Sequence, residues 1–130
     1  MKICIVDDDQ IYQFTTKKII SKAGFTGEVL TFSDAEEAFA FIQAEAKNKD
    51  ELPDLIFLDI NMPFMDGWQF LDAYQKIKNE IPKTISIFLV SSSVDEADTE
   101  RAAQIPEVTG YIFKPFTKEK LLESIARIQS

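Results

Sequence analysis

The chain has 130 residues, 45% of them hydrophobic and 28% charged, with 11 Phe for a core; this is the composition of a soluble globular protein, predicts one domain over residues 1–130 and excludes a disordered chain. Its formal charge of −8 excludes direct capture of nucleic acid or an anionic membrane surface, because polyanions are held by clustered Lys and Arg. With no His and one cysteine, Cys4, the chain supplies no imidazole base, no His-ligated metal and no internal disulfide, so any histidine chemistry must come from a partner.

The first apolar run, residues 2–6, leads straight into Asp7, Asp8 and Asp9. No signal peptide precedes it and no apolar stretch approaches bilayer length, which predicts a cytosolic protein. A helix follows over about 11–23, with Tyr12, Ile19, Ile20 and Ala23 on one face and Gly24 as its stop. A second strand at 28–32 precedes Ser33 and Glu36, a spacing that predicts a capping box for a helix whose Ala35, Ala38, Phe39, Ile42 and Ala46 form one stripe. The third strand, 55–58, stops at Asp59, before Asn61, Met62 and Pro63; a helix then begins after Asp66 and Gly67 and carries Phe70, Leu71, Tyr74 and Ile77. The fourth strand, 85–90, stops at Ser91, and the helix after it, about 95–104, is short and weakly apolar, which makes it the element expected to shift or fray. The fifth strand, 110–113, runs into Lys114 and Pro115, a candidate cis peptide bond. Thr117 then predicts the cap of a last helix that buries Leu121, Leu122, Ile125 and Ile128.

Strand and helix patterns thus alternate five times, the signature of βαβ units around a parallel sheet covered on both faces. In such a sheet the carboxyl ends of the strands share one edge, so Asp7, Asp8, Asp59, Ser91 and Lys114 converge there. Each has an ordinary explanation taken singly. One of the first three aspartates caps a helix, with Asp9 the best placed; Asp59 starts a turn; Ser91 competes with Ser92, Ser93 and Asp95 for a cap; Lys114 is a solvated loop lysine. Taken together they make a metal and phosphoryl site. The acidic pair suits a hard divalent cation, most simply Mg²⁺, and Asp59 suits a nucleophile that accepts a phosphoryl group as a mixed anhydride. The Ser91 hydroxyl and the Lys114 ammonium suit the phosphoryl oxygens.

The motifs VDD, LDINMPFMDGW, LVSS and YIFKPF, in this order and spacing, closely resemble those of the receiver domains of two-component response regulators, and the resemblance spans essentially the whole chain. It implies a CheY-like, doubly wound five-stranded parallel sheet of order 2-1-3-4-5 flanked by five helices. It also implies that Asp59 is the phosphoacceptor, that Asp8, Asp59 and the Asn61 backbone carbonyl bind Mg²⁺ with Asp7 acting through water, and that Ser91 and Lys114 contact the phosphoryl group. Ser91 and Tyr111 correspond to the family's switch pair, and Asn61 and Ser93 to positions that tune the lifetime of the phosphoryl group. The implied partners are a sensor histidine kinase or histidine phosphotransfer protein as donor and a downstream protein as target. Such a domain is no enzyme beyond its own phosphorylation and dephosphorylation. Because the sequence ends at Ser130, output is expected to pass through a bound protein or onward in a phosphorelay.

Two other classes of protein share part of this pattern. An aspartate-based phosphohydrolase also uses an Asp at a strand end, but it needs a second acid two residues later, where this chain has Asn61. A scaffold that is never phosphorylated would be expected to have lost members of the set Asp7, Asp8, Asp59, Ser91 and Lys114, and here all are present.

Overall fold

The computed structural model describes residues 1–129. Five strands, β1 (Lys2–Val6), β2 (Glu28–Phe32), β3 (Leu55–Asp59), β4 (Ser86–Ser91) and β5 (Val108–Phe113), alternate with five helices, α1 (Gln10–Lys22), α2 (Ala35–Ala44), α3 (Gly67–Ile77), α4 (Glu96–Ala103) and α5 (Lys118–Gln129). Every strand pairing is parallel and the order is β2-β1-β3-β4-β5. This is the expected doubly wound α/β fold, with the reversal of winding between β1 and β3.

Strand alternation sorts the core into two layers. Cys4, Val6, Ile56, Leu58, Ile87 and Leu89 face α2, α3 and α4, where Ala38, Ile42, Phe70, Leu71 and Ala102 meet them. Ile3, Ile5, Leu55, Phe57, Phe88 and Val90 face α1 and α5, through Ile20 and Leu121. The central strands β1, β3 and β4 are buried almost throughout, whereas the edge strands β2 and β5 are half-buried. β5 thus begins before its apolar run suggests: Val108 already pairs with Ile87, Thr109 lies at an irregularity before Gly110 meets Phe88, and both remain partly open.

Two local expectations are corrected. The cap of α2 is Asp34, not Ser33: Asp34 is extended (φ −151°, ψ 160°) and its carboxylate accepts the Glu37 N–H at 2.7 Å. A carboxylate beside the positive end of the helix is a stronger acceptor than a hydroxyl. Leu122 is 47% exposed rather than part of the α5 stripe. At about 100° per residue it lies a quarter turn from Leu121, and Ser124 takes the inner position instead. The Ser124 hydroxyl donates to Lys120 O at 2.7 Å, so its burial leaves no donor unmatched.

Gly67 opens α3 directly against the end of β3. A Cβ there would stand 2.9 Å from Ile60 Cα and 3.0 Å from Asp59 O, so only glycine lets the helix start this close to the strand. Gly24 ends α1 at φ +92°, as its place in the sequence predicts.

Candidate functional site

Register fixes the geometry of the strand ends. Val6 pairs with Leu58, Asp59 with Val90 and Ser91 with Phe113, so Asp7, Asp59, Ser91 and Lys114 emerge side by side along one edge. Asp7, Asp8 and Asp59 each offer a carboxylate oxygen, and the three lie within 4.8 Å of one another. Asp7 is 1% and Asp59 5% exposed, whereas Asp8 is open to solvent. Lys114 follows β5 with its N–H donating to Ser91 O at 2.8 Å and with a cis bond to Pro115. Its ammonium stands 3.0 Å from Asp7 Oδ2 and 3.8 Å from Asp59 Oδ2. All five sequence-predicted side chains of the acidic and phosphoryl set are therefore at one strand edge, with Ser91 fully buried at the end of β4.

Backbone donors hold the carboxylates in place. Asp9 N–H donates to Asp7 Oδ1 at 2.9 Å, and Asn61 N–H to Asp59 Oδ1 at 3.3 Å. Asp9 itself caps α1, as expected, by accepting from Ile11 and Tyr12 N–H. Asp95 rather than a serine caps α4. That leaves the Ser91 hydroxyl beside the acidic cluster, where it accepts the Ser93 N–H at 3.0 Å. The Tyr111 hydroxyl points back to the same loop, donating to Ser93 O at 3.5 Å.

The electrostatics of the cluster are unbalanced. Burial pushes the Asp59 carboxyl up to about 6; the Asp7 charge adds to that rise, and Lys114 only partly opposes it. Burial also raises Asp7, against the pull of the Asp9 N–H and of Lys114. One ammonium cannot neutralise three carboxylates. Asp7 Oδ2 has no aligned hydrogen bond among the described residues, only the ion pair with Lys114. Oxygen-only donors, a surplus of negative charge and an open side at Asp8 are the features that suit a hard divalent cation.

Three residues that bear on the site were not evident from the sequence. Gln13 uses both amide hydrogens to join the ends of β1 and β2, donating to Asp7 O at 2.6 Å and Phe32 O at 3.0 Å. Lys120 reaches back from α5 to Phe113 O and, at 2.9 Å, to Pro115 O, bracketing Lys114. Tyr12 lays its ring 4.2 Å from the Lys114 ammonium. Their only signal in the sequence is position on the inner or leading turn of a helix, and the partners they meet are remote in the chain.

A family model described as the response regulator receiver domain matches residues 3–126. The chain is 31% identical to protein PilG of Pseudomonas aeruginosa over 96% of its length and 84% of that protein. It is 32% identical to the transcriptional regulatory protein PrrA of Mycobacterium tuberculosis over 99% of its length but only 48% of that longer protein. Among solved structures it resembles a two-component response regulator from Cytophaga hutchinsonii, with a TM-score of 0.90, 26% identity, and 98% of this chain and 96% of that one covered.

Proposed function

Because the chain belongs to the response regulator receiver domains, we propose that residues 1–130 form one such domain, whose Asp59 accepts a phosphoryl group in a Mg²⁺-dependent reaction. The donor is the phosphohistidine of a sensor histidine kinase or histidine phosphotransfer protein, or a small acyl phosphate. The observation that carries this reading is the meeting of three carboxylates within 4.8 Å beside one ammonium at 3.0 and 3.8 Å. A nucleophile, a cation site and an anion clamp are then in reach of the same incoming group.

Asp59 attacks phosphorus through a carboxylate oxygen, and the bond from phosphorus to the donor nitrogen or oxygen breaks as the acyl phosphate forms. Asp8, Asp59 and the Asn61 carbonyl would hold Mg²⁺ directly, with Asp7 acting through water. When bound, the ion offsets the charge of the acids and of the incoming phosphoryl oxygens. Lys114 leaves the carboxylates for the new anion, and the Ser91 hydroxyl donates to another of its oxygens. Because Ser91 and Tyr111 share the loop of Ser93, moving Ser91 frees the Tyr111 ring to turn, and α4, which buries only Ala102, is the element least able to resist.

A groove of about 480 Å³ beside the site, lined by Ile11, Tyr12, Lys114 and Phe116 among others, offers the donor protein a place next to the nucleophile. The exposed side chains of Ile11 and Phe14 enlarge that apolar face. No helix of the described residues is long and apolar enough to cross a membrane; the protein is taken to work in the cytoplasm, where its phosphohistidine donors act. The protein acts as a signalling switch for a downstream protein rather than as an enzyme with turnover, and it binds no nucleic acid itself.

Incubation with Mg²⁺ and acetyl phosphate should add one phosphoryl mass by intact-protein mass spectrometry. The gain should vanish in Asp59→Asn and in the presence of chelator. Modification that persists in Asp59→Asn would refute the assignment.

A further inference from the structure

The Lys114 ammonium has a third neighbour besides the two carboxylates: the face of the Tyr12 ring, 4.2 Å from Nζ to centroid. A cation over a ring face is attracted by the quadrupole, more strongly where water is scarce, and the Lys114 side chain is only 22% exposed. Tyr12 is set in this place by the site itself, since its N–H donates to Asp9 Oδ1 at 3.2 Å and the Asp9 N–H donates to Asp7. The third aspartate of the run thus ties the ring to the acidic cluster.

The phenol hydroxyl pairs within the helix. The Tyr12 and Thr16 oxygens are both buried one helical turn apart, and the Thr16 hydroxyl is the side-chain hydrogen-bond partner of the phenol. That bond stays within α1 and does not reach the acidic cluster, whereas the ring meets the Lys114 ammonium directly.

We propose that Tyr12 is a positioning residue whose ring holds the Lys114 ammonium against Asp7 and Asp59 and thereby sets how readily a divalent cation can enter the same cluster. This rests on the reading of Asp7, Asp8 and Asp59 as the cation site. The ammonium and the cation draw on the same carboxylates and repel each other, so whatever strengthens the first weakens the binding of the second. The ring is thus a brake on cation loading, released when Lys114 moves to a phosphoryl oxygen.

The test is Mg²⁺ affinity by titration calorimetry, with the Mg²⁺ dependence of the melting temperature as a second readout, on the full chain. Tyr12→Leu should bind Mg²⁺ about 3- to 10-fold more tightly than the unmodified protein. Tyr12→Phe, which keeps the ring and drops the hydroxyl, should bind as the unmodified protein does. Tyr12→Met fills the space without a ring and serves as a second variant should Leu disturb the fold. In a Lys114→Met background the Tyr12→Leu effect should disappear, since there is no ammonium left to hold. Unchanged affinity in Tyr12→Leu and Tyr12→Met, or the same gain with and without Lys114, would overturn the positioning role alone. Absence of any Mg²⁺ binding by the unmodified protein would instead overturn the cation site, and this proposal with it.

Discussion

Replacing Asp59 by Asn should stabilise the metal-free protein, although Asp59 has an ion-pair partner. Removing one member of a buried pair ordinarily strands the other charge and destabilises. Here Lys114 is shared, and Asp7, the nearer carboxylate at 3.0 Å, keeps it paired when Asp59 is neutral. The Asp59 carboxyl sits at about 6 against an ordinary 3.8, so holding it ionised above pH 7 costs the fold about 3 kcal/mol at ~1.4 kcal/mol per unit. An Asn oxygen can still accept the Asn61 N–H, but its amide hydrogens face an ammonium and return about 1 kcal/mol of that. The net expectation is about 2 kcal/mol, or a rise of about 6–10 °C in melting temperature for a chain of this size. Between pH 4 and 6 the native state binds the Asp59 proton and the unfolded state has released it, so the stability of the unmodified protein falls as pH rises through that window. The advantage of Asp59→Asn should therefore be small near pH 4 and complete by pH 7, and Mg²⁺ should narrow it by stabilising only the ionised site. Thermal melts in EDTA at pH 4.5 and 7.5 check this. A variant no more stable at pH 7.5, or a gap equal at both pH values, would refute the reasoning.

Asp34→Ala should lower stability by about 1 kcal/mol through loss of the α2 cap, whereas Ser33→Ala should change it by less than about 0.5 kcal/mol; urea denaturation of the two variants distinguishes them. Phe64 is 91% exposed yet held at φ 68°, a left-handed conformation that strains an aromatic residue. Phe64→Asn should accordingly raise stability by about 0.5–1 kcal/mol in the same assay, and a loss would mean that the ring makes a stabilising contact.

Much of the site could be read from the chain because its parts are local. Asp59 and Ser91 end their own strands, and Asp7 and Lys114 each follow theirs by one residue; a parallel sheet aligns strand ends without further instruction, so four short motifs sufficed to predict the cluster. The sheet order came from resemblance, and the register then turned shared ends into distances. Residues that act across the chain were not legible in this way. Gln13 meets Phe32 O, Lys120 meets Phe113 O, and Tyr12 meets Lys114, and no spacing rule connects these pairs.

By itself, then, the sequence determined the alternation of strand and helix, the two apolar layers and the identity of the polar groups at the strand ends, because periodicity and strand termini are properties of neighbouring residues. Only the tertiary structure decided which cap closed α2, that Ser124 rather than Leu122 faced inward from α5, and which side chains surround the Lys114 ammonium. Those outcomes depend on the distances between elements that the chain brings together from afar, and a side chain's charge, burial and partners exist only once that packing is complete.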